Sequence, residues 1–166
     1  MNQQAEEVSR MYGNKLRVRV SGICIENNEV LLVNHQGVNV ENEFWAPPGG
    51  GMDFGFSAEE NLIREFREET GLEIKINRFL CVNEFIGPPL HAVELFFLVE
   101  ITNGKLKVGL EPEFKKGIEI IKNVEFKDWN WIQKSKAANL HNLLNIITSI
   151  NDLSTLKGYF LQKKNK

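Results

Sequence analysis

The spacing of apolar residues changes along this chain, and each change marks an element. Over residues 16–25 apolar positions alternate and are β-branched (Val18, Val20, Ile23, Ile25), which predicts a strand. Asn27-Asn28 predicts a turn, and residues 30–33, Val-Leu-Leu-Val, the returning strand of a hairpin. Residues 36–43 are polar and read as a loop. After Ser57 the period lengthens. Leu62 and Phe66 stand four apart, with Ala58 and Ile63 alongside, and form the apolar stripe of a helix. Ser57 and Glu60 have capping-box spacing, worth about 1 kcal/mol at the helix start. Gly71 fits the left-handed position that ends a helix.

Two more strands are predicted over residues 74–85 and 92–101. Thr102-Asn103-Gly104 then reads as a turn before a shorter strand around Leu106. Residues 109–118 mix Gly, Pro, Glu and Lys and read as a mobile loop. Val124-Glu125-Phe126 leads into Trp129 and Trp131 as a last strand. Leu140, Leu143, Leu144, Ile147 and Ile150 have helical spacing within a C-terminal helical segment, 135–166. That stripe is expected to pack on the sheet, with a homodimer surface as the alternative. Residues 1–14 read as a short helix or loose arm, and the C-terminal lysines as a solvated tail. Strands flanking a central helix, with a second helix near the end, argue for α/β layers in a single domain, 1–166.

Composition narrows the function classes. The net charge of −2 gives no nucleic-acid-wrapping surface. No apolar run is long enough to span a bilayer. The first residues lack a basic stretch followed by an apolar one, so no secretory signal is expected, and the cytoplasm is the default. Cys24 and Cys81 lie in apolar, strand-like runs and read as reduced core residues.

The chemistry concentrates in residues 49–72, where a glycine-rich loop runs into the central helix. At about 100° per residue, Glu65, Glu68 and Glu69 fall within one arc of that helix. Like charges so placed oppose one another by about 0.2–0.5 kcal/mol per pair. A divalent cation between them would reverse the sign, and oxygen-only ligation suits Mg²⁺ or Mn²⁺. An ordinary solvated helix face is the competing reading.

These residues resemble the Nudix box: Gly, five residues, Glu, seven residues, then Arg-Glu-apolar-any-Glu-Glu-any-Gly-apolar. Gly50 opens the pattern, and Arg64-Glu65-Phe66-Arg67-Glu68-Glu69-Thr70-Gly71-Leu72 complete it. One fixed position departs, with Phe56 standing where the family has its first Glu. The preceding Trp45-Ala46-Pro47-Pro48-Gly49-Gly50 is also similar to the family's approach to its box. The resemblance implies an α/β/α sandwich around a mixed β-sheet. It also implies metal-dependent hydrolysis of a pyrophosphate bond in a small nucleoside diphosphate-linked substrate. Glu65, Glu68 and Glu69 are the implied metal ligands, joined by the Gly49 backbone carbonyl, with Arg64 orienting the glutamates. A non-catalytic nucleotide or ADP-ribose sensor of the same fold is the alternative that Phe56 keeps open. An isoprenoid diphosphate isomerase of related fold would need an acid/base pair, often including Cys, and both cysteines here lie in apolar strands.

Outside the box, Glu94 is the carboxylate of an otherwise apolar strand and needs a partner: a metal or substrate, or an interior salt bridge. Glu113 lies in the late loop where some members of the family carry a catalytic base. Arg17 and Arg19 share a strand face and could hold a phosphate or pair with surface charges. Phe44, Trp45 and Phe85 could stack a base or fill the core. His35 and His91 show no metal-ligand spacing and read as structural.

Overall fold

The period-two segments become strands, and the computed structural model joins them in one mixed sheet. It describes residues 3–39, 41–109, 112 and 119–164. A first helix, α1 (Gln3–Tyr12), leads to β1 (Leu16–Glu26) and β2 (Glu29–His35). Asn27 and Asn28 both take positive φ (50° and 63°), as a tight hairpin turn demands. The short strands β3 (Phe44–Ala46) and β4 (Gly49–Gly51) precede α2 (Ala58–Thr70). Then come the long strands β5 (Leu72–Gly87) and β6 (Leu90–Gly104), β7 (Ile121–Asp128), α3 (Trp129–Lys134), two 3₁₀ turns (Ala137–Asn139 and Asn142–Asn145), α4 (Ile150–Leu153) and β8 (Gly158–Lys163).

Among the described residues the strand order is β3-β2-β1-β6-β5-β8, with β4 paired to β1 and β7 to β2. β1 runs parallel to β6, and β5 antiparallel to it. Two apolar clusters lie on the two faces. Leu62 and Phe66 of α2 pack with Val20, Leu31 and Phe97 on one. Ile23, Cys81 and Phe96 pack with Leu143, Leu144 and Ile150 on the other. These are the layers of an α/β/α sandwich.

Both ends of α2 follow the local chemistry. Ser57 accepts from the Glu60 N–H while the Glu60 side chain accepts from the Ser57 N–H, and Gly71 closes the helix at φ 72°.

Four expectations change. The segment around Leu106 is not a strand: β6 runs on to Gly104, and the chain then lies along the end of α2. There the Lys107 and Gly109 N–H groups donate to the carbonyls of Thr70 and Glu69, two of the acceptors a helix end leaves unsatisfied. Trp129 and Trp131 belong to α3, because Asp128 accepts from the Trp131 N–H at 2.7 Å and caps a helix there. The 140–150 stripe is buried on the sheet, as expected of packing, but it is not one helix. His141 caps a 3₁₀ turn, and the Thr148 and Ser149 N–H groups bond to Asp152, which offers the backbone local alternatives to a continuous helix. The 135–166 segment is not all helical, nor its described end a tail: Gly158–Lys163 forms β8, parallel to β5, and Lys166 lies outside the described residues. The 109–118 loop falls mostly outside the described residues.

Candidate active site

β4 lies against β1, placing Ser21, Val20 and Arg19 opposite Gly49, Gly50 and Gly51. From below, α2 pushes two carboxylates against this glycine strand. Glu65 and Glu69 are 3% and 1% exposed, so neither belongs to a solvated helix face. The absence of side chains on the strand makes this possible. A Cβ on Gly50 would stand 2.3 Å from the Glu65 carboxyl carbon, and one on Gly49 would stand 2.0 Å from the Val20 carbonyl oxygen. Glu69 accepts from the Gly49 N–H at 2.8 Å, and its other oxygen lies 3.2 Å from His35 Nε2.

Arg64 gathers the acidic groups. Its Nη2 lies 2.8 Å from Glu65 and 3.1 Å from Asp53, and its Nη1 lies 3.0 Å from Glu68. Burial works against its charge, but Glu65, Glu68 and Asp53 outweigh that and hold its pKa above the ordinary value. Asn61, buried beside it, accepts from the Asp53 N–H and donates to the Phe56 and Ser57 carbonyls, which pins the loop. Phe56 joins this arrangement through its carbonyl, and the residue is 60% exposed.

The donor chemistry of Glu65, Glu68, Glu69 and the Gly49 carbonyl fits a hard divalent cation such as Mg²⁺ or Mn²⁺. Among the described residues, no three His, Cys, Asp or Glu side chains already form a cage. The carboxylates are held instead by Arg64, His35 and the Gly49 amide.

On the other face, Glu94 has the interior partners a buried carboxylate needs. Ser21 donates to its Oε1 at 2.8 Å, Arg19 Nε lies 3.4 Å from the same oxygen, and His141 Nε2 lies 2.9 Å from Oε2. Burial raises the Glu94 pKa, but His141, Arg19 and Ser21 outweigh burial and hold it far below the usual carboxylate range. The Leu143 N–H donates to His141 Nδ1, so Nε2 carries the proton given to Glu94.

The structure distributes the other candidates. Arg19 also donates to the Gly49 carbonyl at 3.2 Å. Arg17 stacks on Tyr12, its guanidinium carbon 3.4 Å from the ring centre. Strand register aligns Arg17, Ala92 and Phe85 in one row, next to the row of Arg19, Glu94 and Asn83. The Phe44 ring lies 6.4 Å from that of His141. Trp45 takes the core reading: it is buried, edge-on to Trp131 at 5.2 Å, and its indole N–H donates to Glu43. Glu113 lies outside the described residues. His91 pairs with Glu84 at 2.8 Å, as a structural residue would. Burial pushes both cysteine thiols up to about 12, which disfavours the thiolate at each.

His141, Ser21 and Asn61 were not identified from the sequence. They lie remote from the box or carry no charge, and only Asn61, inside the box helix, sat where a signal could have been sought.

A glycine strand over a glutamate-bearing helix, tied by one arginine, defines the Nudix class of site. The chain belongs to the NUDIX family: the NUDIX domain matches residues 15–146. It is 32% identical over 119 residues to the ADP-ribose pyrophosphatase of Methanocaldococcus jannaschii, covering 70% of this chain and 64% of that protein. It is 29% identical over 102 residues to the 8-oxo-dGTP diphosphatase of Proteus vulgaris, covering 57% and 91% respectively. The match spans 64% of the archaeal relative's length and 45% of that of a Bacillus subtilis relative. The fold is that of a NUDIX hydrolase from Nitrosomonas europaea, with a TM-score of 0.70 at 15% identity over 86% of this chain and 93% of that one. No helix among the described residues is long and apolar enough to cross a membrane.

Proposed function

We propose that this chain is a metal-dependent Nudix hydrolase that cleaves a pyrophosphate bond in a small nucleoside diphosphate-linked substrate, with ADP-ribose the first candidate. The observation that carries this reading is the burial of Glu65 and Glu69 against the Gly49-Gly50 backbone. The names of the archaeal and Proteus relatives, both enzymes that open phosphoanhydrides, support it.

Glu65, Glu68, Glu69 and the Gly49 carbonyl would hold Mg²⁺ or Mn²⁺, which when bound neutralises phosphate oxygens and lowers the pKa of the attacking water. Arg64 orients Glu65 and Glu68, because its planar guanidinium can serve two carboxylates at once. Arg19 and Arg17 supply positive charge for the diphosphate, and Phe44 and Phe85 offer apolar rings to the base. A glutamate accepts the water proton. Glu94 suits that task poorly, since a carboxylate held strongly ionised is a weak base near neutral pH. The base is therefore a box glutamate or Glu113. Glu94 serves better as the anchor of Arg19.

Residues 1–166 act in this reading as one domain in the cytoplasm, without nucleic acid or membrane. The two buried free thiols support a reducing compartment. Phe56 favours one second reading, a sensor that binds nucleotides without turnover.

The test is a hydrolysis screen over ADP-ribose, nucleotide sugars, dinucleoside polyphosphates and nucleoside triphosphates with Mg²⁺ or Mn²⁺. Turnover of one class, lost in excess chelator, supports the hydrolase. Binding with no turnover in any class assigns the sensor.

A further inference from the structure

Two buried histidine–glutamate pairs lie on opposite faces of the sheet, and Arg19 and Gly49 join them. On the C-terminal side, His141 Nε2 lies 2.9 Å from Glu94, whose other oxygen is 3.4 Å from Arg19 Nε. Arg19 Nη2 donates to the Gly49 carbonyl at 3.2 Å. On the α2 side, the Gly49 N–H donates to Glu69 at 2.8 Å, and Glu69 lies 3.2 Å from His35 Nε2. The path is continuous: His141, Glu94, Arg19, Gly49, Glu69, His35.

We infer that His141 and His35 are positioning residues that act from the two faces on the peptide groups of Gly49, and through them set the Glu69 carboxylate and the Gly49 carbonyl. The kinetic consequence rests on the hydrolase reading above; the geometric coupling does not.

Three features make this a built relay. Both histidines are buried, each 7% exposed, so neither is a surface side chain in chance contact. The His141 ring is fixed on several sides: its backbone N–H donates to the Trp45 carbonyl at 2.8 Å, its Nδ1 accepts from Leu143, and its ring stands 5.3 Å from that of Phe96. Gly49 itself has no room to relax toward β1, because a Cβ there would meet the Val20 carbonyl at 2.0 Å. A rotation of either Gly49 peptide would break a hydrogen bond to Arg19 or to Glu69. His35 stands one contact from the site, on Glu69, and partners so placed commonly change affinity or rate by about 10–100-fold when replaced; His141 reaches Gly49 through Glu94 and Arg19.

The experiment measures hydrogen exchange of the Gly49 amide by NMR in the metal-free wild type and in His35→Gln, His141→Gln and the double variant. Urea denaturation of each reports global stability. Gly49 should exchange about tenfold faster in His141→Gln than stability loss alone explains, although His141 does not touch Gly49. On whichever substrate the wild type hydrolyses, each single variant should lower kcat about tenfold with little change in KM. The double variant should lose less than the product of the two single losses, because both act on one element. If His141→Gln fails to fold, Glu94→Gln, which keeps the side-chain shape, replaces it. Unchanged Gly49 exchange in His141→Gln, or in Glu94→Gln as its replacement, overturns the inference. So does a strictly multiplicative double variant. If the wild type hydrolyses nothing while Gly49 protection falls in the variants, the coupling stands and the hydrolase reading fails.

Discussion

Arg64 Nη1 lies 3.0 Å from Glu68 Oε2, four residues along α2, while Nη2 of the same side chain holds Glu65 at 2.8 Å. Residues four apart on a helix face each other, but with the arginine ahead of the glutamate the order is the weaker one, and the value of the pair here is geometric. One planar group sets the direction of two of the three box carboxylates.

Arg64→Lys should therefore keep the charge and lose the orientation. An ammonium cannot fork between Glu65 and Glu68. Hydrolysis should fall about tenfold or more, while the thermal midpoint moves by only a few degrees. Steady-state kinetics beside a melting curve separates the two effects, and unchanged kinetics would remove Arg64 from the site.

Glu68→Gln and Glu69→Gln should both cut turnover at least about tenfold, yet differ in stability. Glu68 is partly exposed with Arg64 as its partner, so its loss should hardly affect folding. Glu69 is buried between His35 and the Gly49 amide, and the substitution should cost about 1–3 kcal/mol. Urea midpoints of the two variants check the contrast.

Glu94 should make stability depend on acid pH. Its folded pKa is held below the ordinary value of 4.5 by His141, Arg19 and Ser21, which outweigh burial. For a depressed carboxylate the contribution is present above the unfolded pKa and is lost as pH falls through the folded one. Wild type should therefore exceed Glu94→Gln in stability at pH 7, and the gap should narrow as pH drops below about 4.5. A gap that is constant between pH 7 and pH 3 would mean that the interaction does not depend on the Glu94 charge.

Phe56→Glu restores the residue at which this chain departs from its family pattern. Because Phe56 is 60% exposed and contributes its backbone rather than its ring to the loop, the variant should fold as the wild type does. Activity should be unchanged or higher, most visibly at low metal concentration. A metal titration of both proteins measures this, and loss of folding would show that the ring packs where it is seen exposed.

The box could be read from the sequence because its signals are local. Ser57, Glu60 and Gly71 mark the ends of α2 by hydrogen bonds within one or two turns, and helical spacing alone puts Glu65, Glu68 and Glu69 together. The long alternating strands were legible for the same reason. The 140–150 segment was not, because its apolar spacing fits a helix while Ser149, Asp152 and His141 bind nearby backbone and break it into turns. Nor was His141 as a partner of Glu94, since 47 residues separate them and nothing in either neighbourhood indicates the other. The core placement of Trp45 was one of two open readings, and Lys127 and Trp131, which enclose it, arrive from β7 and α3.

The most direct measurement is ³¹P NMR of the wild-type protein with ADP-ribose and Mg²⁺, repeated after chelator is added. Loss of the diphosphate signals, with growth of monophosphate signals that stops on chelation, is the predicted result. Monophosphate growth that continues undiminished in excess chelator would contradict the metal-dependent site at Glu65, Glu68 and Glu69. Diphosphate signals that broaden on binding but never decline, for ADP-ribose and for every other class in the screen, would contradict hydrolysis itself.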